Sequence, residues 1–354
     1  MRGSSARKWF RALVAGAVLA VAAALIATSG LADPDRSART HEHISRRAAT
    51  RAYRWWTWTY RRWYSDASPW NTPIHAGAPS LPQSRAWLDA LYGSIRQINV
   101  NRTVWTPTVI TARPSAPRKR IGLSGGWVLD DVPVPPSLVP SSDRDAHAVI
   151  VDAGRSREYD FFHLWNDDGT WHAASGVVLR LDGSGWYNGR FCARGLCGPW
   201  GARASSAALG GGLIRISEAR AGVIPHALAC SIPRNLVGSP ISPATTSDGH
   251  GHGSLIPMGA RLQLDPALDV TALGLEPGEE MIARALQTYG AYVVDSSSSF
   301  ALNALSVQGL KSDPYPSSWE NGLSKELLRH MRVVAPPPAP IYDNRQVFGQ
   351  PRRG

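Results

Sequence analysis

Five polar residues stand where apolar stretches of this 354-residue chain end, and loops at such positions often build the sites of β-rich proteins. They are His147, Glu158, Arg203, Glu218 and His226. Two carboxylates can act as acid and base on a sugar bond. Equally, a histidine can abstract a proton while an arginine neutralises a uronate carboxylate. We predict that His147, Glu158, Arg203 and His226 are catalytic and that Glu218 binds substrate.

Each of these residues also has a structural interpretation. His226 fits a hydrogen-bonded histidine at the start of a strand. Glu158 begins a predicted strand and fits an exposed residue there. Arg203, in an Ala/Ser/Gly context, fits an ion-pair partner of Glu218 or Asp152. The sequence leaves both interpretations open.

Aromatic residues favour carbohydrate as the ligand class. The chain contains 14 tryptophans, and indole rings offer flat apolar faces on which sugar rings can stack. We predict that Trp165 is one such substrate-binding ring, and that Arg261 also binds substrate. Tryptophan also fills the cores of β-sandwiches, so the count favours a carbohydrate ligand without specifying one.

Other chemistries find less support in the sequence. Ser205–Ser206 lacks the G-x-S-x-G elbow that exposes a nucleophilic serine. The cluster Asp248–His252 is flanked by glycines and fits a solvated loop better than a metal site. Gly210–Gly212 precedes a strand-like run and not a helix with Gly-Lys-Ser/Thr, so it does not predict a phosphate loop. We predict no metal and no cofactor.

The N-terminus has the pattern of an export signal. Arg2, Arg7 and Lys8 precede an apolar run over 12–27, and small residues follow at Gly30 and Ala32. This order predicts a signal peptide over residues 1–32 and a secreted or cell-surface protein. Retention of the segment as an N-terminal anchor is the alternative.

The net charge of +11 is concentrated outside the predicted body. Residues 33–64 hold eight arginines against three acids and predict a basic, aromatic-rich stalk. Its Tyr53–Tyr64 run, YRWWTWTYRRWY, suits a membrane or another anionic surface, or alternatively an N-terminal strand. The predicted β-rich domain over 65–334 is charge-balanced, which argues against nucleic-acid binding. Residues 335–354 predict a proline-rich disordered tail.

Three cysteines remain in a chain predicted to be exported. Cys192 and Cys197 enclose four residues and can close a small loop, so we predict a disulfide between them. Cys230 lies in an apolar run and predicts a buried thiol.

Short runs of β-forming residues dominate the body. His147–Asp152 and Glu158–Trp165 flank a turn and predict a hairpin, with a further strand over Trp171–Asp182. Tyr292–Asp295 and Phe300–Leu305 predict a closing hairpin, and apolar spacing predicts helices over Ser84–Ile98 and Glu279–Tyr289. The fold class predicted is mainly β, a β-sandwich or jelly-roll-like single domain with a few peripheral helices.

Six sequence pieces occur in an order that resembles a family of uncharacterised exported bacterial proteins. The pieces are SPWNTPI, the DAHAVIVD hairpin with EYDFFHLW, GARASSAALGGGLIR, AGVIPHAL, IPMGARLQLDP and ARALQTYGAYVVD. The resemblance covers roughly Ser68 to Leu305 and implies export, but it brings no activity, cofactor or catalytic residue. The chain departs from the family pattern at Ser206–Ala208, where the family has a Gly-Leu-Pro-like bend.

Three functions are compatible with these features. The first is an exported carbohydrate-active enzyme, a hydrolase or lyase that cleaves an extracellular polysaccharide. The second is a non-catalytic module that binds carbohydrate or a cell-wall polymer, and the third is a structural envelope protein. We expect the partner to be an extracellular polysaccharide or cell-wall polymer and the protein to be a monomer.

Overall fold

The computed structural model describes residues 63–189, 192–193, 196–197, 201–342 and 350–351. They belong to a compact unit that spans Arg62–Gly354. The predicted signal peptide and nearly all of the predicted stalk lie outside the described residues. The last two stalk residues, Trp63 and Tyr64, are described, and Tyr64 is buried in the body.

The first of two large sheets has seven strands: β1 (Gln97–Asn101), β10 (Leu228–Ile232), β11 (Arg261–Leu264), β12 (Ala291–Ser296), β13 (Phe300–Asn303), β14 (Leu323–Ser324) and β15 (Met331–Val334). Their order in the sheet is β14-β1-β13-β10-β12-β11-β15. The β1/β13 and β10/β12 pairs are parallel and the other neighbours are antiparallel.

The second sheet also has seven strands: β2 (Thr108–Thr111), β3 (Arg118–Leu123), β4 (Trp127–Pro133), β5 (Ala148–Asp152), β6 (Arg157–Asp167), β7 (Thr170–Arg180) and β16 (Gln350–Pro351). Their order in the sheet is β16-β4-β3-β7-β6-β5-β2. Here β2/β5 and β3/β7 are parallel. A separate two-stranded ladder consists of β8 (Cys192–Ala193) and β9 (Leu196–Cys197).

The α-helices of the described residues are α1 (Ser84–Ser94), α2 (Ile216–Ala221) and α3 (Pro277–Thr288). Helix α1 packs against β15, and α3 packs against β11. Gly222 caps the C-terminus of helix α2, and its φ of 69° is the left-handed conformation that favours glycine. Helix α3 begins with a reciprocal cap between Glu276 and Glu279, with Pro277 at its first position. Within the described part of the chain, none of the helices is long and apolar enough to cross a membrane.

Two hydrophobic cores form because the second sheet is buried on both faces. Side chains on one face, including Tyr159 and Phe161 of β6, pack with other residues of the same sheet. The opposite face contributes Val177 and Leu179 of β7 to the main core, together with the first sheet and the helices. The prediction of a mainly β, sandwich-like domain with few helices is confirmed, with two curled mixed sheets.

A loop segment, residues 201–212, links the two sheets and carries the polar groups described below. The amide of Ser205 donates to the Val294 carbonyl of β12, and the Gly212 carbonyl accepts from the Ala229 amide of β10. On the other side, the amide of Ala208 donates to the carbonyl of Gly185, which follows β7. The segment therefore lies where residues of β6 can reach it from one sheet and residues of β12 from the other.

Two local predictions were wrong because long-range pairing overrode local pattern. The helix predicted over Ser84–Ile98 ends at Ser94, and Ile98 lies in β1, where it pairs with Phe300. The closing hairpin also does not form, since β12 and β13 flank β10 and do not pair with each other. The β5–β6 hairpin and the strand after it are present.

Candidate functional site

Two acidic side chains of β6 enter a fully buried layer between the sheets. Glu158 and Asp160 are two residues apart, so they point to the same face of the strand, and both are 0% exposed. Glu158 accepts hydrogen bonds from the Tyr64 hydroxyl at 2.6 Å and the Gly210 amide at 2.8 Å. Asp160 accepts one from the Leu209 amide at 2.7 Å.

Burial keeps this carboxyl pair partly protonated. Desolvation raises the pKa of Glu158, although hydrogen bonds to its carboxylate work in the opposite direction. Desolvation, followed by the charge of Glu158, raises the pKa of Asp160 well above its ordinary value. Two adjacent ionised carboxylates would repel in a medium of low dielectric constant. The pair therefore holds a proton at pH values where a free carboxyl is ionised.

Arg203 lies in the same buried layer, and its guanidinium faces the backbone. Its Nη1 donates to the carbonyls of Ala208 at 2.9 Å and Gly211 at 3.1 Å. Its Nε lies 3.1 Å from Asp295 Oδ2, an ion-pair distance at an angle unsuited to a hydrogen bond. The side chain is 1% exposed. In this position Arg203 positions the loop and Asp295, and it cannot reach a polymer at the surface.

The loop 208–211 has its backbone groups satisfied by these three side chains. Two of its carbonyls accept from Arg203, and its two central amides donate to Asp160 and Glu158. Backbone N–H and C=O groups that are removed from bulk solvent need such partners, because an unpaired buried polar group is costly. A Cβ at Gly210 would lie 2.0 Å from the Trp63 ring, which explains the glycine at this position.

His226 and Glu218 form a separate buried pair. His226 Nε2 lies 3.1 Å from Glu218 Oε2, and its Nδ1 lies 2.9 Å from the Ala227 carbonyl. Both ring nitrogens therefore face oxygens of the protein itself, and neither faces an accessible surface. Burial works to raise the pKa of Glu218, but the charge and hydrogen bond of His226, together with Arg215, outweigh it and lower the pKa.

His147 is a half-buried residue, whereas His226, the other predicted catalytic histidine, is buried. Its Nε2 lies 3.0 Å from the Ala202 carbonyl, next to Arg203 in the chain. Its ring centroid lies 5.3 Å from that of Phe162. Burial is the main cause of a lowered His147 pKa, so the neutral imidazole is favoured.

Asp295 and Asp160 are the polar residues that the sequence analysis missed. Asp295 ends an apolar strand in the way that Asp152 does, and Asp160 alternates with Glu158 along β6. Its position two residues after the predicted catalytic Glu158, on the same face of the predicted strand, was the available signal for Asp160. Nothing in the sequence distinguished Asp295 from other strand-end acids.

Trp165 lies at an exposed surface of the second sheet, apart from the buried layer. Its side chain is 48% exposed, and its ring stacks on His172 with centroids 5.3 Å apart and planes inclined by 21°. A cavity of about 250 Å³ adjoins them. Its lining residues are uncharged at neutral pH or aromatic, with small, aliphatic and ring side chains: Gly122, Leu123, Ser124, Gly126, Trp127, Trp165, His172 and Ala173. We call this group the Trp165 surface.

Arg261 is a buried packing residue in this fold. It donates to the carbonyls of Tyr289 at 2.8 Å and Thr72 at 2.7 Å, and its guanidinium lies 4.9 Å from the centre of the Tyr292 ring. It is 4% exposed. It is therefore not placed to contact a substrate.

The predicted site residues do not meet in one cleft. Glu158 and Arg203 both contact the loop 208–211. His147 contacts Ala202, which belongs to the longer segment 201–212 that contains this loop. Glu218 with His226, Trp165 and Arg261 occupy other places.

The predicted disulfide and metal chemistry can be stated only in part. The backbone places Cys192 opposite Cys197 in the β8–β9 ladder, but their side chains lie outside the described residues, so the disulfide stays a prediction. Cys230 is a buried free thiol, as predicted. The described residues contain no group of three or more His, Cys, Asp or Glu side chains that could hold a metal ion.

Comparison with known proteins adds no assignment. No protein-family model, no curated protein and no solved structure matches this chain. The function must therefore be argued from the geometry alone.

Proposed function

We propose that this is an exported protein that recognises an extracellular polysaccharide through the Trp165 surface. The observation that carries the proposal is the exposed indole of Trp165, which His172 supports on one side while 48% of the side chain faces solvent. An aromatic ring fixed by a second ring has little conformational freedom to lose when it contacts a sugar.

The chemistry of the cavity favours an uncharged sugar. Its eight lining residues include no Arg, Lys, Asp or Glu, so nothing there is matched to a uronate or phosphate. Ser124 and the backbone of the glycine-rich turn can hydrogen-bond to hydroxyl groups. A neutral glycan chain is the ligand class that this lining fits.

The alternative roles have weaker geometric support. Glu158, Arg203 and His226 are buried, with their polar atoms directed at the protein itself. Such residues stabilise the fold and do not line an accessible cleft. A purely structural envelope role does not account for a supported, exposed tryptophan beside a cavity.

Retention on immobilised polysaccharides tests the proposal. We expect the full chain to bind at least one neutral polymer, such as a β-glucan, xylan or galactomannan, more tightly than polygalacturonate. Covering about 60 Å² of the indole at roughly 25 cal/mol per Å² is worth about 1.5 kcal/mol. Trp165→Ala should therefore weaken binding by about tenfold.

Trp105→Ala is the matched control, because Trp105 is also 48% exposed but lies outside the Trp165 surface. Its affinity should stay within about twofold of the unchanged protein. Equal losses in the two variants, or no retention on any neutral polymer, would refute the assignment. Export is tested separately by N-terminal sequencing of protein from the culture medium, which should begin near residue 33.

A further inference from the structure

We propose that Asp295 and His147 form an acid–base pair that hydrolyses the glycosidic bonds of the polymer held at the Trp165 surface. The inference rests on the proposed function, since that surface supplies the substrate. His147 packs against Phe162, three residues before Trp165 on β6, or about 10 Å along the strand.

A β-bulge in the first sheet precedes Asp295. On parallel strands β10 and β12, Cys230 pairs with Val293 but Ser231 pairs with Asp295, so Val294 is an extra residue. Such β-bulges redirect side chains and are frequent beside active sites. Tyr292 and Val294 are fully buried, whereas the Asp295 side chain is 30% exposed.

Both carboxylate oxygens of Asp295 are held from the protein side. Oδ1 accepts the Ala204 amide at 3.0 Å, and Oδ2 lies 3.1 Å from Arg203 Nε. Arg203 is itself fixed by the loop 208–211. The carboxyl group is therefore fixed in place while part of it stays accessible, which is what proton transfer to a bound substrate requires.

Burial and the neighbouring charges together suit the Asp295 carboxyl group to donate a proton near neutral pH. Burial is the largest influence and raises its pKa to about 7, despite the partial exposure. Arg203 lowers the pKa, and the charges of Asp248 and Asp145 raise it. Asp295 is thus protonated below about pH 7 and loses its acid function as the pH rises through that value.

His147 has the complementary protonation state. Its Nε2 faces the Ala202 carbonyl, which can only accept, so Nε2 carries the hydrogen and Nδ1 has a free lone pair. Its lowered pKa keeps the ring neutral at pH 7. Ala202 and Ala204, which hold His147 and Asp295, are two residues apart, so both groups are anchored to one short segment.

The reaction balances with water as the co-reactant. Asp295 gives its proton to the glycosidic oxygen while the bond from that oxygen to the anomeric carbon breaks. A water oxygen bonds to the anomeric carbon, and His147 Nδ1 takes one proton from that water. Transfer of this proton through solvent to Asp295 restores both groups, and the products are two sugar chains, one with a new reducing end.

The test measures new reducing ends from the polymer that the full chain retains, over pH 5 to 8. We expect Asp295→Asn and His147→Gln each to lower the rate at least 100-fold, because general acid–base catalysis contributes about 10²- to 10⁴-fold. Both replacements keep the hydrogen bond to the 202–204 segment, so retention on the polymer, which requires a folded chain, should stay unchanged. Asp295→Asn also removes the carboxylate beside Arg203, so its unfolding free energy should differ from that of the unchanged protein in a pH-dependent way. The exposed Asp248→Asn should keep its activity but move the alkaline limb of the pH profile to lower pH.

The outcomes separate the two proposals. Retention without any cleavage between pH 5 and 8 overturns the acid–base pair and leaves the binding proposal standing. Cleavage by Asp295→Asn at the unchanged rate also overturns it. Absence of both retention and cleavage overturns both proposals.

Discussion

Replacing Asp160 by asparagine should raise the unfolding free energy relative to the unchanged chain, and this difference should increase as the pH rises. Asparagine keeps an oxygen that can accept the Leu209 amide, and its amide group can donate to the neighbouring Glu158. The replacement removes the need to hold a proton in the buried layer. All other contacts of the loop 208–211 are retained.

The magnitude follows from proton linkage. The folded chain holds a proton on the Glu158–Asp160 pair, whose carboxyl pKa values are raised by burial, whereas the unfolded chain releases it near pH 4. The folded state therefore binds more protons, and its stability falls as pH rises above about 4 until the folded-state pKa is reached. One proton corresponds to about 1.4 kcal/mol per pH unit.

Over two pH units, from 5 to 7, Asp160→Asn should gain up to about 2.7 kcal/mol relative to the unchanged protein. Other titrating groups, including Asp295 with its pKa of about 7, are common to both proteins and cancel in the comparison. Urea unfolding at pH 5, 6, 7 and 8 gives the required free energies. The buried, stacked Trp70 and Trp186 supply a fluorescence signal.

Asp167→Asn is the matched control, because Asp167 ends the same strand but is exposed. It should show the pH dependence of the unchanged protein. If the difference for Asp160→Asn does not vary with pH, the buried pair does not hold a proton. If Asp160→Asn loses stability as pH rises, Asp160 is ionised and stabilised by Arg203, and the reasoning is wrong.

Three further changes test other parts of the fold. His226→Ala should destabilise the protein by about 3–5 kcal/mol in urea unfolding, because Glu218 would stay buried without its partner; Glu218→Gln in the same background should recover part of the loss. Gly210→Ala should cost about 1–3 kcal/mol and lower the melting temperature, since its Cβ would overlap the Trp63 ring, whereas the open Gly93 should accept alanine. If the β8–β9 cysteines are bonded, alkylation of the unfolded, unreduced chain should modify one of its three cysteines, and all three after reduction; three modified cysteines without reduction would exclude the bond.

Local sequence pattern predicted the elements that depend on neighbouring residues. Alternating β-formers around a glycine turn predicted the β5–β6 hairpin, and apolar spacing predicted α3. It failed where pairing joins distant segments. Strand β10 lies between β12 and β13, and residues near position 230 gave no sign that they would separate two strands near position 300.

The candidate site shows a different limit. Residue type identified Glu158, Arg203 and His226 as chemically capable, but it could not tell whether their partners would be substrate or backbone. In the structure, the loop 208–211 is buried, so its amides and carbonyls take up the hydrogen-bonding capacity of Glu158 and Arg203. A sequence contains no direct measure of which loops are buried, and that is why it left the structural and the catalytic interpretation of these residues open.

Arg203 connects the buried layer to the accessible carboxyl group. Its Nη1 fixes the loop 208–211, and its Nε faces Asp295, so one guanidinium positions both. A displacement of the loop would therefore also displace the exposed acid. This geometry assigns Arg203 a positioning role beneath the surface, where the sequence alone predicted a residue in contact with substrate. The internal charge layer and the proposed acid–base pair are then parts of a single arrangement, held together by the segment 201–212.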